Sequence, residues 1–430
     1  MNDPSVLSYY RASAHQAPAF APLQGMQEVD VVVIGGGFAG LNTVTGLLER
    51  GHSDVCLLEA ETIGFGASGR NGGFVFAGYS LGEQALLDGL GAQVAQTLFG
   101  MTVSAVQRIR DRIRKHDIDC DMVDSGVLWA NWFRDPLVLR RRQQLLADVF
   151  DVHWDWVPRD ALRERLHTER YSDALFESNA LHLHPLNYAR GLARLAQGRG
   201  ALVHEHSPAI GLASTGSAWR VTTPRGEVRA RHVVLACGGY LSGLQPAVDR
   251  AVLPIATYVM VTESLGMRLR EAIPTASAVY DTRFAFDYYR RLPEDRLLWG
   301  GRISVRNRSP QAVKKLLRRD LACVYPQLAD ARIEYAWSGL MSYARHEMPQ
   351  VGGNGDGLWW AQAFGGHGLA PTCVAGELLA EAIAEGGQGW RSFERYGLVS
   401  AWRPLGYLAA QGSYWWLQAR DAFKHWIEPR

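Results

Sequence analysis

Residues 30–59 read DVVVIGGGFAGLNTVTGLLERGHSDVCLLE, an apolar run, a glycine cluster, a helix-period segment, a second apolar run and an acid. The run 31–34 predicts a strand buried on both faces, as in a parallel sheet. Gly35, Gly37 and Gly40 follow at G-x-G-x-x-G spacing, with Phe38 and Ala39 opening a helix between the last two. The first glycine permits a tight turn, the second lets the backbone approach a pyrophosphate, and the third lets the helix pack closely on the strand. Phosphates would sit at the helix N-terminus, where unpaired N–H groups and the dipole favour negative charge. Gly51 fits a left-handed helix cap, and residues 54–58 predict a second strand. Glu59 stands 59 − 35 = 24 residues after Gly35, where a carboxylate accepts hydrogen bonds from ribose hydroxyls. The same charge repels a 2′-phosphate, which makes NADP the least suitable ligand. A lone glycine motif is weak evidence; strand, helix and acid in this order make it a dinucleotide-binding unit and set the fold class as α/β, Rossmann-like.

The chain around this unit has 430 residues, 47% hydrophobic and 20% charged, enough for two domains with cores of their own. A net charge of +2 gives no electrostatic case for nucleic acid. Five cysteines, scattered and without a C-x-x-C pair, predict a reduced, cytoplasmic protein rather than a disulfide framework or zinc site. The N-terminal residues lack the basic start and apolar core of a signal peptide, and no stretch offers the ~20 apolar residues of a membrane span. The expectation is a soluble protein.

Residues 1 to about 28 suggest an arm over the surface, anchored by Tyr9 and Tyr10. The segment GFGASGRNGG, residues 64–73, holds five glycines and cannot be an ordinary helix or strand interior. Following the ribose strand directly, it predicts a loop bringing backbone N–H groups, Ser68 and Arg70 against the cofactor; the bland reading is a flexible surface loop. Helical periodicity runs over 83–117, and another helix starts near Pro136. The basic runs 108–115 and 140–142 suggest solvated helix faces without a role. A further helix is expected over 185–200. His204 and His206 would share a strand face, yet with no third ligand nearby they suggest ordinary histidines, and no metal site is expected. The run VVLACGGY, residues 233–240, predicts a buried strand broken by glycines. Phe284, Phe286 and Tyr288, spaced by two, predict one strand face that is either core or pocket wall. From Trp359 the chain predicts a strand, a loop over 365–371 and a helix to about 384, with His367 as a contact or a passive spacer. In the last segment Leu405, Leu408, Trp415, Ala419, Phe423 and Trp426 recur at helical spacing with Arg420 and Lys424 nearby. That pattern fits an interfacial membrane helix and equally a helix packed on its own protein.

The opening unit, GFGASGRNGG, VVLACGGY, LLWGGR, the W-x-G stretch at Trp337 and GGHGLAP, in this order, resemble the FAD-dependent D-amino-acid-oxidase-like amine oxidoreductases over residues 8–385. SYYRASA, GFGASGRNGG and FGGHGLAPT resemble the gamma-glutamylputrescine oxidoreductase subgroup in particular. The resemblance implies a discontinuous Rossmann-like FAD-binding domain over 29–95, 180–250 and 335–388. It also implies an α+β substrate domain with an antiparallel sheet over 96–179 and 251–334, leaving 389–430 as a C-terminal helical segment. It assigns FAD contacts to Gly35, Gly37, Phe38, Ala39, Gly40, Glu59, Ala67, Ser68, Arg70, Asn71, Gly72 and Gly73. Ala209 would meet the adenine, Ala236 and Gly238 also face the cofactor, and Gly366, His367, Gly368 and Leu369 lie beside the flavin ring. A helix N-terminus there would stabilise negative charge on the ring.

Met341 stands where sarcosine-oxidase-like relatives carry the cysteine that attaches flavin, so FAD is expected to be non-covalent. Glycine-oxidase-like relatives carry a carboxylate-binding arginine in that stretch; its absence argues against simple α-amino acids unless Arg302 or Arg345 substitutes. The implied chemistry is hydride transfer from the carbon beside an amine nitrogen to flavin, giving an imine that hydrolyses to an aldehyde, with O2 or another acceptor taking the electrons. Substrate-side candidates are Tyr258, Phe284, Tyr288, Arg302, Tyr343 and Arg345, with no general base assigned. The substrate is a long amine such as gamma-glutamylputrescine, or a secondary amine, N-alkyl amino acid or aminophosphonate for a dehydrogenase. A flavin-bound membrane-surface or interaction protein, its flavin structural, is the third reading.

Overall fold

The computed structural model describes residues 7–16 and 19–427. The start of the expected arm, residues 17–18 and the extreme C-terminal residues lie outside them.

Val31, Val32 and Val33 are fully buried within the strand Gly25–Ile34, each contributing on the order of 1.5–3 kcal/mol through removal from water. This strand pairs in parallel with Val55–Leu58 on one side and Gly226–Leu235 on the other. Leu202–His204 and Leu358–Gln362 extend the parallel order, and Gln350–Gly353 adds an antiparallel edge. Two short strands, Gly211–Ser214 and Trp219–Thr222, pair back from Gly226–Leu235 and complete eight strands. The first strand starts at Gly25, so residues 25–28 are its opening rungs rather than the end of the expected arm. Gly226 permits this, because a Cβ there would lie 2.2 Å from the Gly25 carbonyl oxygen. The arm itself forms a short helix, Tyr9–Ser13, whose two tyrosines are buried as expected.

The second sheet also has eight strands, in the order Ile333–Tyr343, Leu253–Thr262, Arg296–Ser304, Tyr288–Leu292, Ala278–Asp281, Val127–Ala130, Ala174–Glu177 and Asp155–Val157. It is antiparallel except between Ala278–Asp281 and Val127–Ala130. Ile333–Tyr343 hydrogen-bonds along Leu253–Thr262, so the domain boundary expected at 335 cuts through a strand of the second sheet.

The long helix expected over 83–117 is two, Glu83–Leu90 and Ala92–Lys115, divided at Gly91, whose φ of +77° an ordinary helix cannot continue. The basic runs are not simply solvated faces. Arg112 is buried and forks onto Glu49 at 2.9 and 2.7 Å, reaches Asn42 Oδ1 at 2.8 Å and pairs with Glu377. It thereby ties Ala92–Lys115 to the helices Phe38–Glu49 and Leu369–Glu385. Arg110 is buried on Asp124, and Arg142, on the helix Leu137–Phe150, meets Glu83 at 2.6 Å. Charge runs look alike in sequence whether their partners are water or a distant carboxylate. His204 and His206 do not share a strand face, since the strand stops at His204 and His206 has φ +50°.

Candidate functional site

The parallel strands bring Ile34, Leu58 and, just past Leu235, Ala236 to one edge, the carboxyl ends where α/β sheets bind ligands. A cavity of ≈ 1630 Å³ opens there and reaches the second sheet at Thr257, Tyr288, Arg302 and residues 339–343. Single small ligands fill roughly 300–1,000 Å³, so this space suits a dinucleotide with a substrate beside it.

Gly35 turns with φ +115°, and a Cβ there would lie 2.6 Å from the Ala236 carbonyl oxygen. A Cβ on Gly40 would lie 2.0 Å from Gly35 O, so this glycine lets the helix press onto the strand rather than lining the cavity. Gly37 N-caps Phe38–Glu49, and the Phe38 N–H donates to Ser68 Oγ at 2.9 Å. Ala39 lies in the same first turn and faces the cavity. Glu59 accepts the Gly36 N–H at 2.7 Å through Oε2 and the Glu61 N–H at 2.9 Å through Oε1. Burial raises its carboxyl above the usual range while those two N–H groups pull it back. Each oxygen keeps a lone pair for a ligand hydroxyl.

The glycine-rich loop folds as the short 3₁₀ helix Ala67–Gly69. Arg70 Nε donates to Phe65 O at 2.9 Å, its carbonyl accepts Trp337 Nε1–H at 2.9 Å, and Asn71 Oδ1 accepts the Gly73 N–H at 2.8 Å. Ala67, Ser68, Arg70, Asn71 and Gly72 line the cavity. Gly73 does not: with φ +80° it packs where a Cβ would lie 2.1 Å from Leu183 O. Ala209, Ala236 and Gly238 line the opposite side.

At the far wall, Gly366, His367, Gly368 and Leu369 line the cavity. The Gly366 N–H donates to Ser80 Oγ at 2.9 Å, and Gly368 N-caps Leu369–Glu385 with no side-chain cap on the helix. Burial, then the Arg142 charge, lowers the His367 imidazole to about 4, so the ring is neutral at neutral pH. It meets Phe76 edge-on at 4.8 Å. Phe76 stacks on Tyr280 at 5.5 Å, Tyr280 meets Phe286 at 5.8 Å, Phe286 meets Tyr288 at 6.1 Å and Tyr288 meets Phe74 at 5.6 Å. A continuous ring wall therefore faces the cavity.

Phe284, Tyr288, Arg302, Tyr343 and Arg345 all line this space. Burial pushes the Tyr343 phenol up to about 12. Phe284 and Phe286 are not strand residues: the strand begins at Tyr288, because Arg283 pairs with Asp281 and Asp287 and shapes the preceding segment into a loop. Tyr258 stands apart from the cavity, buried with its hydroxyl donating to Arg306 O at 2.5 Å. Its neighbour Thr257 takes the cavity-facing place, as strand alternation requires. Arg302 forks onto Asp320, whereas Arg345 stacks on Trp402 at 4.3 Å. Phe74, Phe76, Tyr280 and Tyr414 line the cavity without having been expected to from the sequence. The period-two pair Phe74 and Phe76 directly after the glycine loop was a usable signal; Tyr414 had none, since a remote helix brings it in.

A family model described as FAD dependent oxidoreductase (DAO) matches residues 30–382. The chain belongs to this family. It is 34% identical to gamma-glutamylputrescine oxidoreductase of Escherichia coli over 378 residues, 87% of this chain and 88% of that one. It is 31% identical over 397 residues to a probable oxidoreductase, OrdL, of Haemophilus influenzae, covering 88% of each chain. The crystal structure of glycine oxidase from Geobacillus kaustophilus superposes with a TM-score of 0.70 at 21% identity, over 87% of this chain and 99% of that one. The family member described here is thus an FAD-dependent oxidoreductase with the mixed α/β fold of glycine oxidase. The cavity fits FAD: glycines occupy the turn where Cβ atoms would collide, Glu59 lines it with two acceptor oxygens, and two helix N-termini, at Phe38 and Leu369, border the cleft.

Proposed function

We propose that the chain oxidises the C–N bond of a long amine, gamma-glutamylputrescine or a close analogue, with O2 reduced to H2O2. The carrying observation is the ring wall of Phe74, Phe76, Tyr280, Phe286 and Tyr288, together with Arg345, which lines the same cavity with no carboxylate in contact among the described residues. Bound flavin supplies the hydride acceptor for the carbon beside the amine nitrogen. The rings exclude water and thereby favour the neutral amine, the form that can release hydride. Arg345 would hold a carboxylate at the substrate's other end, a role Arg302 cannot take while Asp320 occupies it. The name of the Escherichia coli relative supports the substrate.

FAD is held without a covalent bond. Met341 lines the cavity with a thioether, and the Cys237 thiol is kept protonated by burial, its pKa pushed up to about 12. Residues 29–95, 180–250 and 344–388 would form the FAD domain. Five unpaired thiols support a cytoplasmic setting, and no described helix is long and apolar enough to cross a membrane.

The test is an anaerobic visible spectrum before and after gamma-glutamylputrescine. Bleaching of the flavin band, with peroxide on readmission of air, is expected. A yellow protein that stays oxidised would reject this substrate. A second reading, a dehydrogenase of an N-alkyl amino acid or aminophosphonate, draws on Arg345, whose guanidinium suits a carboxylate or phosphonate. Such an enzyme would bleach with that amine and reoxidise poorly in air.

A further inference from the structure

The C-terminal helix Leu405–Ile427 is amphipathic with its faces reversed. Three of its polar side chains reach inward. Gln411 Oε1 accepts from Ser304 Oγ at 3.1 Å, Asp421 Oδ2 accepts the Phe284 N–H at 2.7 Å, and Lys424 approaches Asp135 at 3.9 Å. Six large apolar side chains point outward: Leu405, Leu408, Trp415, Trp416, Phe423 and Trp426 are each 60% or more exposed, and Trp402 just before the helix is 62% exposed. These seven make up nearly half of the large hydrophobics exposed among the described residues, so the apolar surface is concentrated here. At about 100° per residue the six helical ones fall within an arc of roughly 100°. The other residues in that arc, Gly412 and Ala419, carry no polar side chain.

We propose that this face docks on a lipid surface bearing anionic headgroups, with the helix lying in the interfacial plane. Two observations select that occupant. Tryptophans dominate the face, and indoles settle at the headgroup level, where one edge is apolar and the other wet. The charged side chain presented beside the arc is basic: Arg420 is exposed, with its guanidinium 5.8 Å from the Trp416 ring centre, and the acid it also reaches at 3.3 Å, Asp421, is buried behind it. A helix with this distribution lies on a membrane rather than spanning it, in keeping with the absence of a spanning helix among the described residues. A second copy would have to cover the same face, and the experiment below separates that occupant from lipid. Docking would also turn one side of the cavity mouth toward the lipid, since Trp402, Leu405, Ala409 and Tyr414 line it.

The experiment is vesicle flotation of the purified yellow holoprotein with phosphatidylcholine alone and with phosphatidylcholine containing 30% phosphatidylglycerol. It is repeated with Trp415→Ser/Trp416→Ser/Phe423→Ser/Trp426→Ser and, separately, with Arg420→Glu. The wild type should float with the anionic vesicles, the fourfold variant should lose at least tenfold in bound fraction, and Arg420→Glu should weaken binding to anionic vesicles. Flavin content reports folding of each variant, and quenching of wild-type tryptophan fluorescence by brominated lipid reads insertion without any substitution. A wild type that neither floats nor is quenched overturns the proposal. So does a dimer in sedimentation that the fourfold variant converts to monomer without vesicle binding, because the face would then belong to a second copy.

Discussion

Arg302 grips Asp320 with two hydrogen bonds, Nε to Oδ2 at 2.9 Å and Nη2 to Oδ1 at 2.5 Å, and lines the cavity with a left-handed φ of +61°. Two arginines that looked equivalent in sequence are thereby separated. Arg302→Ala leaves the buried Asp320 carboxylate without its fork and should cost about 2 kcal/mol of stability, the order of hydrogen bonds to charged groups. Arg345→Ala removes a guanidinium that stacks on the Trp402 ring. It should raise KM for a carboxylate-bearing amine tenfold or more with kcat little changed, and leave KM for a carboxylate-free amine unchanged. Steady-state kinetics on the two amines decides; equal effects on both would remove Arg345 from substrate recognition.

Glu59 is oriented before any ligand arrives, because the Gly36 and Glu61 N–H groups fix one oxygen each. Glu59→Ala should weaken FAD binding by about 10- to 100-fold, the loss of one or two hydrogen bonds to a charged acceptor. Titration of apoprotein with FAD, followed by flavin fluorescence, measures it. An unchanged affinity would place the ribose elsewhere.

The local features were legible because each acts through neighbours in sequence. Gly35, Gly40 and Glu59 sit on one strand–helix–strand unit, and the loop at Ser68 to Gly72 follows within a dozen residues. What stayed hidden depends on residues far apart. Arg142 and Glu83 are 59 positions apart, and nothing in the 140–142 run marks it as buried. Phe284, Phe286 and Tyr288 keep the spacing of a strand, yet the Asp281–Arg283–Asp287 cluster holds two of them in a loop and still turns them to the cavity. The periodicity of the last helix was plain, but periodicity is blind to which face meets the protein; Gln411 and Asp421 settle that by bonding inward.

Glu177 sits beneath the ring wall with Oε2 unpartnered and Oε1 accepting the Ala77 N–H at 3.4 Å. Burial raises its carboxyl to about 8, against the partial opposition of that N–H and of Arg142. A raised folded pKa means the native state keeps a proton that the unfolded chain has already lost. The stability this gives is full below the unfolded value near 4.5 and declines as pH rises from there through about 8. Glu177→Gln keeps the neutral shape and should flatten that decline, gaining most at pH 8. Urea unfolding at pH 5, 6.5 and 8 measures the slope; an identical slope in the variant would mean Glu177 is ionised in the fold.

His182 and His184 act in the opposite direction. His182 is buried, donating from Nε2 to Ala276 O at 2.9 Å and accepting at Nδ1 from Arg290 at 3.3 Å. His184 accepts the Asn187 N–H at 3.1 Å through Nδ1. Burial, and then the Arg290 charge, lowers both to about 3. Their contribution is present above the unfolded pKa near 6.5 and is lost as pH falls toward 3, at up to about 1.4 kcal/mol per pH unit for each ring. Protonated His182 would place a second positive charge against Arg290, so acid should loosen the junction where Arg290 also holds Gly72 O at 2.7 Å and Leu183 O at 2.7 Å. His182→Gln should therefore be less stable than wild type at pH 7 but lose stability more gently between pH 6.5 and 4. Because Gly72 lines the cavity that fits FAD, wild-type FAD release should follow the same acid window, read by the rise of free-flavin fluorescence. Release unchanged down to pH 4 would uncouple these histidines from the site.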